Sequence, residues 1–249
     1  MMARIRLISL LLLAAGLIAA CTSTADFPDP SNPVASTPWP DYELLRYDIT
    51  DQRDVTLGTV DFEVERIGDI FSFRLLFLLE DEQVRDEVIL TVDAETLSPR
   101  TYERFAADLE SRVEVLATYG VDGEGALVLD SRVVRDGEER VKTEELGDFA
   151  FDTDSSAWLW RSIAFAQDYE VTYRSVNAVE QRSQLVSLRV VGQDSLNTPA
   201  GDFIAWQLVA RPGLDRQNAW FDVEAPHRLV RWDLQPRTYT LREIVTERP

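Results

Sequence analysis

Few side chains in this sequence could carry out chemistry, and histidine is the scarcest of them. His227 is the only histidine, so neither a serine–histidine–aspartate triad nor a zinc site built from several histidines has a second imidazole to draw on. Its setting, Glu-Ala-Pro-His-Arg, is typical of a turn. We expect His227 to be a solvent-facing turn residue.

Closely spaced carboxylates are the next candidates. Asp152 and Asp154 stand two residues apart, as do Asp222 and Glu224, and such pairs could bind Ca²⁺ or serve as the two acids of a glycosidase. The chain contains 44 Asp and Glu residues, so pairs at this spacing are expected by chance. We predict no enzymatic activity, no metal and no cofactor.

Tryptophan gives a stronger signal than any charged residue. Five of the six tryptophans fall in the second half of the chain, and with one isoleucine they could line an apolar cleft that suits acyl chains, sterol-like molecules or glycan rings. These candidates are Trp158, Trp160, Ile163, Trp206, Trp220 and Trp232. The alternative is that they are ordinary core residues.

The elements that position these residues are predicted to be β-strands. Apolar and polar residues alternate along most of the chain after residue 41, for example over 55–66, 87–93 and 202–210, and pairs such as Asp136-Gly137 separate the segments as hairpin turns do. About a dozen strands are too many for a flat sheet, which rarely exceeds ~10. We predict an all-β, mainly antiparallel domain whose curved sheet rolls into a barrel, half-barrel or roll.

One segment departs from this alternation. Residues 154–166 contain neither glycine nor proline and begin with Asp154, Ser155 and Ser156, which favour a helix start. The segment is apolar on almost every side. We therefore predict one helix that is packed on the concave face of the sheet or across its mouth.

The N-terminus predicts where the protein is located. Arg4 and Arg6 precede an apolar run shorter than the roughly 20 residues that span a bilayer, and Ile18-Ala19-Ala20 places small residues before Cys21. This arrangement resembles a bacterial lipoprotein signal peptide over residues 1–20. We predict cleavage before Cys21 and lipidation of its thiol. An uncleaved anchor is the alternative, and both place the domain outside the cytoplasm.

Residues 21–41 and 42–249 are predicted to be a tether and a single β domain. Five prolines fall between residues 22 and 41, which favours extended, solvated chain. Trp39 is the one large apolar residue of the predicted tether apart from Phe27, and packing on the domain is favoured over contact with lipid headgroups.

Charge narrows the range of partners. The formal net charge is −19, and loss of Arg4 and Arg6 with the signal peptide would lower it by two. Binding to nucleic acid or to anionic headgroups through a basic patch is therefore not expected. We predict that the lipid on Cys21 attaches the protein to a membrane. This is the cell membrane or, since Thr22 rather than an aspartate follows the cysteine, the periplasmic face of an outer membrane.

A family resemblance rests on the C-terminal part of the chain. Thr198-Pro199-Ala200-Gly201, which suits a tight turn, is followed by Phe203, Trp220-Phe221 and Leu229-Val230-Arg231. With an upstream helix ending in Arg161, this pattern resembles the closing section of the exported family called domain of unknown function 3108. The resemblance implies a curved antiparallel β domain, and it implies no activity and no catalytic residue.

A more distant resemblance concerns architecture. Lipoprotein carriers of the LolA and LppX type combine a curved open-barrel sheet with helix over its concave side, where they hold acyl chains. From this combination we predict an envelope lipoprotein that binds or carries a lipid-like apolar ligand. The alternative is a non-catalytic structural or interaction module that binds proteins or glycans through its outer face or strand edges. A continuous cavity of several hundred Å³ would favour the carrier.

Replacement of the lipidated cysteine tests the predicted location. We expect Cys21→Ser to abolish metabolic labelling with a fatty acid and to release or mislocalise the domain, because two acyl chains at ~0.8 kcal/mol per buried CH₂ would hold it at the membrane. Mass spectrometry of the wild-type mature protein is the decisive measurement. A mature N-terminus other than Cys21, or an unmodified Cys21, would contradict the prediction.

Overall fold

The computed structural model describes residues 28–79, 83–108, 110–213 and 215–248. The predicted signal peptide and Cys21 lie outside the described residues. Among those ranges, no helix combines the length and the apolar character that crossing a bilayer requires.

Most of the described chain is β-structure, as the alternation predicts. Over these ranges the strands are β1 (Tyr42–Asp51), β2 (Thr56–Ile67), β3 (Ile70–Leu79), β4 (Val84–Asp93), β5 (Pro99–Ala107), β6 (Arg112–Val121), β7 (Leu127–Arg135), β8 (Glu138–Glu145), β9 (Ala150–Asp152), β10 (Glu170–Asn177), β11 (Arg182–Thr198), β12 (Gly201–Pro212), β13 (Gln217–Asp222), β14 (Leu229–Leu234) and β15 (Arg237–Val245). They belong to one sheet in the order 8-7-6-5-4-3-2-1-15-14-13-12-11-10-9.

The order of the strands shows how the sheet curls. Its two edges, β8 and β9, follow each other in the chain, so the edges must come close together. Lys142 on β8 donates to the carbonyl of Gln181, in the turn between β10 and β11, at 2.5 Å, and Gln181 Nε2 donates to Ser131 Oγ on β7 at 3.0 Å. No ladder of hydrogen bonds closes the sheet over the described strands. The predicted fold class is confirmed: a curved, mainly antiparallel sheet with one short helix.

The Thr198–Gly201 stretch forms the tight turn that its residues predict. It joins β11 to β12, with Pro199 and Ala200 as the loop. The Thr198 hydroxyl accepts from the Ala200 amide and donates to the Gly201 carbonyl, at 3.2 and 3.1 Å. Gly201 has a φ of 135°, which a residue with a Cβ rarely adopts. The turn therefore fixes the register of a long hairpin.

The predicted helix is shorter than the sequence indicates. A 3-10 turn (Thr153–Ser155), the helix α1 (Ser156–Leu159) and a second 3-10 turn (Trp160–Ser162) make up what we call the plug segment, residues 153–162. The prediction that helix continues to Ala166 is wrong. The Ser162 carbonyl, which a longer helix would use, accepts instead from the amides of Ala35 and Ser36 at 2.8 and 3.1 Å.

The plug segment is buried, as its apolar character predicts. Trp158 is 2% exposed and stacks on Phe73 of β3, with ring centroids 4.3 Å apart and an interplanar angle of 1°. Phe62 of β2 packs against the same indole at 5.7 Å. Aromatic pairs of this kind add to the stabilisation from buried area. The concave face of the sheet is therefore largely filled by protein.

Residues 28–41, which we call the N-terminal arm, lie along the domain. The Ser31 amide donates to the Thr172 carbonyl on β10 at 2.7 Å. Trp39 is 5% exposed and meets the rings of Phe71 and Phe73 edge-on at 5.5 and 5.9 Å. The arm thus contributes a core residue, in agreement with the packing that is favoured for Trp39.

A buried ion pair joins four parts of the chain. Arg161 of the plug segment lies 2.7 Å from Glu43 of β1, and their side chains are 2% and 0% exposed. Glu43 also accepts from Arg228 at 2.8 Å, and Arg161 donates twice to the Pro226 carbonyl at 3.1 and 3.2 Å. The Arg161 guanidinium lies 5.5 Å from the centre of the Trp39 ring. The charge of Glu43 is therefore opposed by two arginines inside the protein.

Removal of the buried carboxylate should destabilise the fold. We expect Glu43→Gln to lower the free energy of unfolding by about 3–5 kcal/mol, because two arginines would lose their anion inside the protein. The matched control is Glu243→Gln, which breaks a surface pair with Arg46 and should cost at most about 1 kcal/mol. Urea denaturation measures both values. Equal effects of the two substitutions would contradict the structural role of Glu43.

Candidate functional site

A cavity of about 220 Å³ lies between the sheet and the plug segment. Its walls come from widely separated elements: β2 and β3, the plug segment, β10 and β11, the loop between β12 and β13, and the β14–β15 hairpin. Gln184 and Asp215 line it and are exposed. We infer that these residues form a rim through which the cavity meets solvent.

Aromatic rings form much of the cavity wall. Trp160 of the plug segment and Trp232 of β14 meet edge to face at 5.3 Å, and Trp232 lies 5.8 Å from the ring of Tyr239 on β15. The Trp160 indole N–H donates to the Tyr173 hydroxyl at 3.0 Å, so its position is fixed. The rings are therefore held in place by one another and by the backbone elements that carry them.

The start of the plug segment supplies polar atoms to the cavity. Thr153, Asp154 and Ser156 all line it. Asp152 caps this turn by accepting from the Asp154 amide at 2.8 Å, as N-cap aspartates do. Ser156 Oγ donates to the Thr153 carbonyl at 2.6 Å. A short run of capping residues thus places Asp154 on the cavity wall.

Tyrosines from the opposite side of the sheet hold both aspartates of this turn. The Tyr102 hydroxyl of β5 donates to Asp154 Oδ2 at 2.7 Å, and the Tyr119 hydroxyl of β6 donates to Asp152 Oδ2 at 2.5 Å. Asp152 is 1% exposed, whereas Asp154 is partly exposed. These bonds cross the interior and connect the two halves of the sheet through the plug segment.

Burial changes the acidity of both carboxyl groups. Desolvation, helped by the nearby charge of Asp154, raises the pKa of Asp152 to about 8. Desolvation is also the main reason why the pKa of Asp154 is raised, and the charge of Arg104 opposes it. Arg104 itself forms a two-pronged pair with Asp86, at 2.9 and 2.5 Å. The interior therefore contains three aspartates near one arginine.

The six residues predicted to line an apolar cleft occupy different environments. Trp160 and Trp232 line the cavity, while Trp158 and Ile163 are core residues at 2% and 3% exposure. Trp206 stacks near Phe165, with ring centroids 6.4 Å apart.

The sixth, Trp220, lies in a small cluster with Ala205 and Val230 that is separate from the main core. Its indole N–H donates to Asp194 at 2.8 Å, and Arg231 lies over its ring at 5.5 Å. In the register of β12 and β13, Gln207 faces Trp220 while Trp206 faces Phe221. Trp206 and Trp220 therefore point to opposite faces of the sheet.

The remaining candidates from the sequence lie elsewhere. His227 lies in a turn, as expected, but the prediction that it faces solvent is wrong. It is half-buried, with a ring nitrogen 3.0 Å from the Asp222 carbonyl oxygen and its ring centroid 4.8 Å from that of Phe165. Asp222 accepts from the Glu224 amide at 3.1 Å within the same turn. Over the described residues, no three His, Cys, Asp or Glu side chains are grouped as metal ligands would be.

Sequence reasoning missed the tyrosines that hold the aspartates. Tyr102 and Tyr119 occupy inward-facing positions on strands that alternate like their neighbours, so nothing local sets them apart. A buried tyrosine usually finds a hydrogen-bond partner for its hydroxyl. Inward-facing tyrosines are therefore the one sequence signal from which polar groups inside the sheet could have been predicted.

The family comparison covers most of the β domain. A family model described as "Protein of unknown function (DUF3108)" matches residues 46–238. The resemblance read from the C-terminal half is confirmed and extends over the N-terminal half of the sheet as well. No curated protein matches the chain.

Solved structures share the fold at low sequence identity. A β-barrel-like protein of the family DUF1849, from Brucella abortus, is 14% identical and has a TM-score of 0.52, with 86% of this chain and 100% of that chain covered. At this identity the likeness shows the fold alone.

Two other solved structures are more remote. One is provisionally described as a lipoprotein, from Parabacteroides distasonis, with a TM-score of 0.28. The other is provisionally described as an exported protein with a YmcC-like fold, from Bacteroides fragilis, with a TM-score of 0.29. Each is 10% identical to this chain, and each comparison covers 86% of this chain and 100% of the other. TM-scores this low carry no argument about function.

The buried aspartates should make stability depend on pH. A carboxyl whose pKa is raised on folding binds its proton more tightly in the native state, so its contribution is complete below about pH 4 and is lost as pH rises through about 8. We therefore expect this group to lower thermal stability as pH rises from about 4 to about 8, and we expect Asp152→Asn to reduce this fall by on the order of a few kcal/mol.

The control for this experiment is Asp130→Asn, at an exposed position of β7. It should leave the dependence of the melting temperature on pH unchanged, as measured by circular dichroism at each pH. If Asp152→Asn and Asp130→Asn show the same profile as wild type, the assignment of a buried, protonated carboxyl to residue 152 is wrong.

Proposed function

Because the chain belongs to the DUF3108 family, which carries no assigned activity, we propose its function from the cavity: it is a non-catalytic, exported binding protein that holds a small, largely apolar ligand between the sheet and the plug segment. The observation that carries this proposal is the cavity of about 220 Å³ with its aromatic wall. Concave, mostly apolar sites with a few placed polar groups are the usual form of ligand sites.

The size of the cavity limits the ligand. Typical ligand pockets measure about 300–1,000 Å³, whereas an apolar cavity of about 150 Å³ is known to hold benzene. A space of about 220 Å³ therefore suits one ring or a short chain, and a complete acyl lipid would not fit within it. Our proposal is accordingly narrower than the lipid carrier expected from the sequence.

The wall is suited to binding without rearrangement. The Trp160 indole is bonded to Tyr173, and Trp158 behind it is stacked on Phe73, so the site is formed before a ligand arrives. A preformed site avoids part of the entropy cost of ordering side chains on binding. Ligand contact would take place mainly through Trp160, Trp232 and Tyr239.

Lipid anchoring completes the proposed function. The N-terminal arm is bonded to β10 at Ser31, which is the tenth residue after Cys21. Ten residues reach at most about 35 Å. A lipid on Cys21 would therefore keep the domain near the membrane surface rather than at the end of a long tether.

A second candidate function, an interaction module, is favoured by one surface feature. Across the outer face of β4–β8, Ile89, Leu116 and Val141 are exposed at 38%, 51% and 71%. They lie in one row, alternating with Glu103 and Arg132. An outer apolar row of this kind suits contact with another protein, and such contact would not involve the cavity.

A substitution at the rim distinguishes the two candidates. We expect Gln184→Trp to reduce binding of 4-phenylbutan-1-ol at least about tenfold, because an indole at this exposed position would obstruct the entrance to the cavity. Isothermal titration calorimetry measures the affinity. The matched control is Gln193→Trp on the same strand, which does not line the cavity and should bind as wild type does.

Two results would count against the cavity as the binding site. The first is no binding of the alcohol to the wild-type protein at millimolar concentration. The second is binding that Gln184→Trp leaves unchanged, which would place the ligand elsewhere, for example on the outer row of β4–β8.

A further inference from the structure

We propose that the ligand of this cavity is an organic cation, a small molecule with an apolar body and a protonated amine that pairs with Asp154. This inference rests on the proposed function, since it names the chemical class that the same cavity takes. Its basis is the set of charges and rings that surround the cavity.

The charged groups on the cavity wall are all acidic. Asp154 lies on the plug segment and Asp215 at the rim, and none of the described residues that line the cavity is an arginine, a lysine or a histidine. A ligand with a carboxylate or phosphate head would therefore meet two acids and no base. Fatty acids and phospholipid headgroups are disfavoured for this reason.

The surrounding charges neutralise Asp154 only in part. Asp152 precedes it in the same turn and is bonded to Tyr119. Arg104 is the nearby base, and its Nε and Nη2 are both bonded to Asp86. The Arg237 side chain lies close to Tyr239 in the β14–β15 hairpin, but Arg237 does not line the cavity. Asp86 and Asp154 thus share one arginine, while burial raises the pKa of Asp152 to about 8 and keeps it largely protonated at neutral pH.

Asp154 has an oxygen to offer a ligand. Tyr102 donates to Oδ2, and Oδ1 has no hydrogen-bond partner among the described residues. Asp154 is nevertheless partly exposed, and it lines the cavity. A carboxylate in such a place is costly to ionise without a partner, and an ammonium group would supply both the opposite charge and a strong donor.

The rings that line the same cavity as Asp154 are of the kind that binds cations elsewhere in proteins. A cation within about 6 Å of a tryptophan or tyrosine face is attracted by the negative charge of that face. Trp160, Trp232 and Tyr239 lie in sequence along the wall, at 5.3 and 5.8 Å from centroid to centroid. Aromatic rings and a carboxylate in the wall of one cavity form a site for an amine with an apolar substituent.

Three matched probes test the proposal. They share a phenylbutyl body and differ in the head: 4-phenylbutylammonium, 4-phenylbutan-1-ol and 4-phenylbutyrate, titrated calorimetrically into the full-length mature protein at pH 7.5. We expect the ammonium to bind at least about tenfold more tightly than the alcohol, and the carboxylate to bind more weakly than the alcohol.

A substitution locates the head group. Asp154→Asn keeps an oxygen for Tyr102 and should reduce the preference for ammonium over alcohol to about twofold or less, with alcohol binding retained as evidence that the cavity is intact. The control Asp48→Asn removes the same charge at a surface position paired with Arg242 and should leave the preference unchanged.

The outcomes separate this inference from the proposed function. If the alcohol or the carboxylate binds as well as the ammonium, the cationic ligand is excluded while the apolar site stands. If none of the three binds, both proposals fail. If Asp154→Asn keeps the full preference, the amine does not pair with Asp154. Should that variant not fold, the wild-type series alone decides the class of ligand.

Discussion

The structure depends on the ion pair between Arg161 and Glu43. Both side chains are removed from water, and the cost of desolvating two charges is recovered only when every donor and acceptor has a partner. Those partners come from the arm, β1, the plug segment and the turn that contains Pro226. The pair therefore forms only when parts of the chain that are distant in sequence are in their final positions.

The ion pair holds the plug segment in position, and the plug segment in turn forms part of the candidate site. Arg161 fixes the end of the segment, so Trp158 lies on the concave face and Asp152 and Asp154 lie at its start. The same ten residues that fill the interior also form one wall of the cavity. Trp160 and Asp154, the ring and the carboxylate that we propose to contact the ligand, both lie in this short segment.

Most of the β-structure could be predicted from the sequence because it depends on local patterns. Period-two alternation gives the strands, and the Thr198–Gly201 turn is determined by proline and glycine. A dozen or more strands cannot stay flat, so curvature followed as well. Trp160 and Trp232 were among the candidates for an apolar cleft, and the structure brings them together, but sequence reasoning did not separate them from the four that lie elsewhere.

The remainder was decided by contacts between distant parts of the chain. Alternation places a side chain on one of two faces, but a one-residue shift in register reverses the choice, so the opposite orientations of Trp206 and Trp220 became clear only from the pairing of β12 with β13. The plug segment ends at Ser162, whose carbonyl accepts from two amides of the arm. The sequence alone determined the strands, the turns and the acidic charge of the protein. The tertiary structure decided which aspartate faces a cavity, since burial depends on neighbours that no local pattern specifies.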